Sequence, residues 1–237
     1  MKKIAALVLL AGAGVGAAYG AEQIPGWAYP LNPPAPAGAQ APAPDMEKHG
    51  VPNSPVRMTR AEIAARGRVP DWHPEDHPAM PKVVAEGREP QVRSCGYCHT
   101  PTGAGRPENA NVQGLTPAYI KQQIANFRSG NRQGSEPKRV PQNLMIGIAK
   151  AVSDAEEEEA AAYFSKMKPV SFVKVVESAT APETNVVGGM LAKLPGGKME
   201  PIGTRIIEVP EDIEVAELRD ARVPYTAYVP VGSLKQG

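Results

Sequence analysis

Cysteine and histidine are scarce in this chain of 237 residues: two cysteines and four histidines. Two cysteines exclude a disulfide-framework protein. They also leave a four-ligand zinc site short, because His49, His73 and His77 all lie upstream of Cys95, Cys98 and His99 in proline-rich sequence. Aromatic residues are few, at 5%. Charge of either sign is not in excess: the formal net charge is +1, and −1 once Lys2 and Lys3 leave with a leader. Such a balance gives no electrostatic case for nucleic acid. Long apolar runs are also lacking. Ile4 to Ala18 is short and rich in Gly and Ala, which favours a cleaved leader over the competing reading, an uncleaved membrane anchor. With Lys2-Lys3 before it and Ala18-Tyr19-Gly20 after it, residues 1–20 read as a cleaved secretory signal. A periplasmic location is therefore expected.

Proline (26) and glycine (23) are plentiful, together about a fifth of the chain and well above ordinary usage. Residues 21–80 form a Pro-rich, largely irregular arm. Pro33-Pro34-Ala35-Pro36 and Ala41-Pro42-Ala43-Pro44 suit extended polyproline chain or disorder. One short helix is expected at Thr59 to Arg66, with Thr59 as cap and Glu62 three residues on. His73 and His77 stand among turn formers and read as exposed turn residues rather than ligands.

The pattern that stands out is Cys95-Gly96-Tyr97-Cys98-His99, the C-x-x-C-H arrangement of c-type haem attachment. Two thiols three positions apart can each join one vinyl group of the same haem, and the adjacent imidazole then lies under the iron. Three other readings compete less well. Zinc lacks ligands. A thioredoxin-like pair opens a helix after a strand, whereas here Pro90 precedes the motif and Pro101-Thr102-Gly103 follows it. A disulfide this local closes too small a loop to stabilise much.

Helical signals follow. A weak helix is expected at Lys82 to Arg88. Thr116 caps a clear helix with Pro117 in its first turn; Ile120, Ile124 and Phe127 share one face, and Gly130 ends it. Gly134 to Pro141 reads as loop and Asn143 to Val152 as a short apolar helix. Ser153, with Glu156, makes a capping box for a last helix whose buried stripe is Ala160, Phe164 and Met167. Beyond Pro169 the period changes, and Val170–Val176, Thr204–Val209 and Tyr225–Val231 are strand-like. This tail has no Cys or His to offer as a ligand.

Residues 81–169 resemble the class I c-type cytochromes of bacterial periplasms. The resemblance rests on Cys-Gly-Tyr-Cys-His at 95–99, Gly-Leu-Thr-Pro-Ala-Tyr-Ile at 114–120, Phe-Arg-Ser-Gly-Asn-Arg at 127–132, Met145, and Ala-Ala-Ala-Tyr-Phe at 160–164. The chain departs from the family at Thr100, where Gly is usual. It implies a mainly α haem domain at 81–169, with residues 170–237 as an extension or linker containing short β segments. The closing Gly-Ser-Leu-Lys-Gln-Gly is similar to the linker of two-haem members, so a chain cut short before a second haem stands beside a one-haem relative.

The expected cofactor is one covalent haem c on Cys95 and Cys98, with His99 and Met145 as axial ligands. Met145 is favoured because it alone among the methionines follows a loop between the two clearest helices, and it matches the family's distal methionine in order. Leu115 is a pocket-lining candidate. Tyr119, Arg128 and Arg132 are candidates for the haem propionates, since Arg suits paired carboxylate oxygens. Surface arginine is the competing reading. The implied function is one-electron transfer between protein partners, a dehydrogenase or a terminal oxidase, with peripheral association to a membrane complex. The competing functions are a haem enzyme with an open iron, such as a peroxidase, and a docking module with a structural haem.

Overall fold

The computed structural model describes residues 28–237 apart from 39, 41, 42, 44 and 66. The expected leader at 1–20 lies outside the described residues, as does part of the second proline run. The arm carries a two-residue ladder, β1 (Lys48–His49) with β2 (Met58–Thr59), followed by α1 (Arg60–Ala64). Thr59 caps α1: its Oγ1 accepts from Glu62 N at 3.1 Å, and Glu62 Oε2 accepts from Thr59 N at 2.7 Å. This is the capping box that the Thr-x-x-Glu spacing calls for.

The motif itself forms α3 (Cys95–His99); it follows α2 (Lys82–Ala85) and is followed by α4 (Pro117–Ser129) and, after a loop, α5 (Val140–Ala151), while α6 (Asp154–Phe164) packs against α4. The caps of α4 and α6 fall where expected. Thr116 accepts from Tyr119 N, Ser153 accepts from Glu156 N, and Gly130 stops α4 in the left-handed region at φ 81°. Ile120 and Ile124 of α4 meet Ala160, Phe164 and Met167 in one core with Val83, Val84 and Val92. α5 differs from expectation. It starts at Val140 rather than Asn143, because Pro141 occupies the first turn, where a missing N–H costs nothing.

The tail is more regular than its sequence suggests, so the described chain is mixed α and β and the mainly α description holds only for residues 81–169. β3 (Val173–Glu177) lies parallel to β9 (Tyr225–Val229), which lies antiparallel to β8 (Ile207–Pro210). Between them are β4 (Thr180–Pro182) paired with β7 (Met199–Pro201), and the hairpin β5 (Thr184–Val187) and β6 (Met190–Lys193). Gly188 and Gly189, both at positive φ, make the two-residue turn. α7 (Ile213–Glu217) precedes β9, and α8 (Ser233–Gln236) follows it.

The arm is short of regular structure, yet its second half is packed. Trp72 is 2% exposed and shares a core with Val51, Ile63 and Leu218. Its Nε1–H donates to the Leu218 carbonyl at 2.8 Å across 146 residues of sequence. Arg222 donates to Asp76 at 2.6 Å and to Glu75 at 2.9 Å. Residues 71–77 and 218–222 thus join arm to tail.

This contact corrects the reading of His73 and His77 as exposed. Their side chains are 3% and 4% exposed. His73 lies 3.2 Å from buried Asp220 and 3.5 Å from Glu75; His77 lies 3.2 Å from Asp71. The turn formers around them do make turns, but the turn is covered by a tail that no local pattern connects to it.

The His77 contact makes stability depend on pH. The Asp71 hydrogen bond raises the His77 pKa above its ordinary value, against the opposing effect of burial. A raised folded-state pKa stabilises fully below the unfolded value, about 6.5, and that stabilisation disappears as pH rises through the folded value. Thermal melts of His77→Gln and the parent should therefore differ most near pH 5.5. The difference should narrow as pH rises above 6.5.

Candidate functional site

α3 is little more than one helical turn, and it carries the whole motif. Positions i, i+3 and i+4 share one helix face, so Cys95, Cys98 and His99 point the same way. The opposite side is pressed into the protein. A Cβ on Gly96 would lie 3.0 Å from the Val84 carbonyl oxygen and 3.1 Å from Val69 Cγ2, which makes glycine the residue that fits. Tyr97 is buried behind the motif.

His99 Nδ1 lies 2.8 Å from the Ala110 carbonyl oxygen. A carbonyl only accepts, so Nδ1 carries the proton and Nε2 carries the lone pair. This arrangement orients a metal-ligating imidazole. Burial lowers the His99 pKa, only partly offset by that hydrogen bond, and keeps the ring neutral. The Phe164 ring meets it edge-on at 6.3 Å. Burial also pushes the Cys95 thiol up to about 12, with Cys98 nearby adding to the shift, and raises Cys98 too.

All three side chains line one cavity of about 300 Å³. Its walls are mostly apolar and include Leu115, Ile120, Ile124, Phe127, Ile148 and Phe164. A bulky, flat, largely apolar group bonded at Cys95 and Cys98 fits both the walls and the donor set.

The other expected site residues are placed as follows. Met145 lines the cavity from the second turn of α5; among the described residues no other methionine does. Met167 is in the core, Met80 packs against it, Met190 is buried in the tail, and Met46 and Met199 are exposed. Leu115, Tyr119 and Arg132 line the cavity, Tyr119 at 48% exposure and therefore at its mouth. Arg128 does not. It donates to Glu157 at 2.7 Å and to the Ala149 carbonyl at 2.8 Å, tying α4 to α5 and α6. Sequence reasoning missed Glu108, Asn111, Gln123 and Gln142 as lining residues. No local pattern marks them, nor Arg139, which is also in the lining.

Thr100 is the departure from the family pattern, and it is conspicuous here. It has φ 63° and ψ 159°, a region that favours glycine, and it is 2% exposed. Its Oγ1 accepts from Ala104 N at 3.1 Å and so holds the loop that leads to Ala110. Thr100→Val keeps the strain and strands that N–H, and should cost about 1–3 kcal/mol. Thr100→Gly loses the same bond but releases strain of about 1–3 kcal/mol. It should therefore be the more stable of the two in chemical denaturation.

No family model matches the chain. Among curated proteins, the thiosulfate dehydrogenase electron acceptor of Thiomonas intermedia is 33% identical over 82 residues, 34% of each chain. Cytochrome c4 of Azotobacter vinelandii is 30% identical over 118 residues, 49% of this chain and 55% of that one. Cytochrome c-554(548) of Halomonas halodenitrificans is 29% identical over 85 residues, 35% of this chain and 96% of that one. The chain thus spans about a third and about half of the length of the first two relatives. Among solved structures, thiosulfate dehydrogenase (TsdBA) from Marichromatium purpuratum matches at 24% identity with a TM-score of 0.34, over 41% of this chain and 20% of that one. The chain is thus distantly homologous to c-type cytochromes.

Proposed function

We propose that the chain is a periplasmic electron-transfer protein with one covalent haem c, attached through Cys95 and Cys98 and held axially by His99 and Met145. The observation that carries this reading is the convergence of those four side chains on one apolar cavity, with His99 Nδ1 already committed to Ala110. When bound, haem c supplies a one-electron iron couple. The chain's own part is positional. The Ala110 carbonyl holds the His99 ring with Nε2 toward the cavity. α5 presents the Met145 thioether, a ligand that favours the reduced state relative to a second histidine. Leu115, Ile120, Ile148 and Phe164 keep water away. Tyr119 and Arg132 at the mouth suit the propionates.

His99 and Met145 together would hold the iron and leave no position for a substrate, which supports a carrier rather than an enzyme. Its partners are then redox proteins. The relative described as an electron acceptor of thiosulfate dehydrogenase supports a dehydrogenase on the donor side. A terminal oxidase is the counterpart. Among the described residues no helix is long and apolar enough to cross a membrane. Attachment to a membrane complex is proposed as peripheral.

Mass spectrometry of the exported protein should show the mass of one haem, and His99→Ala should lose the parent's reduced spectrum. Met145→Ala should abolish the sulfur-to-iron charge-transfer absorption of the oxidised protein and admit carbon monoxide. Met167→Leu should do neither. Persistence of that absorption in Met145→Ala would overturn the ligand assignment.

A further inference from the structure

The tail touches the haem-attachment motif at one corner. Directly after Leu218, whose carbonyl receives Trp72, Arg219 adopts φ 63°, an unusual backbone for arginine. That turn sends its guanidinium over the Tyr97 ring, 3.9 Å from the centroid. Arg219 Nη1–H also donates to the Tyr97 carbonyl at 2.9 Å. Tyr97 lies between the two cysteines, so a tail residue 122 positions away is seated against the motif itself.

Beside it is a buried charged pair. Arg106 and Glu108 have side chains 5% exposed and lie 3.3 Å apart. Arg106 Nη2–H points at the Met190 sulfur at 3.1 Å, a weak acceptor. Arg106 Nε and Glu108 Oε2 are buried without a hydrogen-bond partner among the described residues. Glu108 is also part of the cavity wall. The cluster therefore holds two cations and one carboxylate, and part of its hydrogen-bonding capacity is unmet.

Such a cluster is a poor way to stabilise a fold. Burying ions costs several kcal/mol each, and well-packed apolar residues often do as well or better. Its position suggests a different use. We propose that Arg219 and Glu108 are opposed charges that set the reduction potential of the site, the tail supplying the cation and the cavity wall the carboxylate. This rests on the reading that the cavity holds haem c. Oxidised haem carries one more positive charge than reduced haem. In a medium of low dielectric, a nearby cation disfavours the oxidised form and raises the potential, whereas a carboxylate lowers it. Arg219 is a positioning residue in this scheme: it acts through Tyr97 and the field at the motif, and ligates nothing.

The test uses the exported, haem-loaded full chain. Covalent haem is counted by mass spectrometry, the absorption spectrum is recorded, and the potential is titrated spectroelectrochemically for the parent, R219Q, R219K and E108Q. With haem count and spectrum unchanged, R219Q should have a lower potential, R219K should remain near the parent, and E108Q should have a higher one. A latch with only a structural role predicts haem-loaded variants whose potentials do not move, or move in the same direction, and either result overturns the proposal. If R219Q fails to accumulate, E108Q decides alone: a raised potential supports the proposal, and an unchanged potential or failure to load haem overturns it. A parent exported without covalent haem overturns the haem reading, and the proposal with it.

Discussion

The hydrogen bond between His99 Nδ1 and the Ala110 carbonyl is the constraint on which the rest of the site depends. It selects one tautomer and one ring orientation, and only that orientation presents Nε2 to the cavity. Ala110 can supply its carbonyl because the loop from Thr100 to Ala110 folds back on the motif. Thr100 Oγ1 anchors the start of that loop at Ala104, His99 O accepts from Gly105 N at 2.9 Å, and the Tyr163 hydroxyl ties Pro101 to α6 at 2.7 Å. A five-residue motif can direct three side chains to one face without help. It cannot orient the imidazole, and that task falls to a loop pinned at several points.

The helices beyond that loop were legible because their signals are local. Thr116-Pro117, Gly130 and the Ser153-Glu156 box each act within a turn, and each does in the fold what its chemistry requires. Cys95, Cys98, His99, Met145, Leu115, Tyr119 and Arg132 reach the cavity for related reasons of face and order along the chain. Arg128 shows where this reasoning stops. A suitable guanidinium one turn from the cavity found a nearer carboxylate, Glu157, and a helix-end carbonyl, Ala149. Side-chain chemistry indicates what an arginine can bind, and tertiary neighbours decide which partner it meets.

The arm and tail were the least legible parts, because their structure comes from pairing across long separations. β3 and β9 are adjacent in the sheet and about fifty residues apart in sequence, and a parallel pair leaves no hairpin turn to read. Trp72 stands beside His73-Pro74 in sequence that reads as turn. It becomes a core residue only when Leu218 arrives. The burial of His73 and His77 follows from the same contact and has no signature of its own.

Segment 218–222 then links three parts that the sequence presents as separate. Leu218 accepts from Trp72 in the arm, Arg219 reaches Tyr97 in the motif, Asp220 faces His73, and Arg222 holds Asp76 and Glu75. Two of these contacts are exposed ion pairs that contribute little stability. The Trp72 and Arg219 contacts are desolvated and specific, and they carry the connection. A domain with only three phenylalanines and two tryptophans in the whole chain has a limited apolar core to draw on. Covering the back of the motif with a tail residue extends that core without adding an aromatic. It also adds a permanent charge behind the motif, beside the Arg106–Glu108 pair that residues 81–169 already supply. The extension is therefore part of the electrostatic environment of the site, even though it supplies no ligand to it.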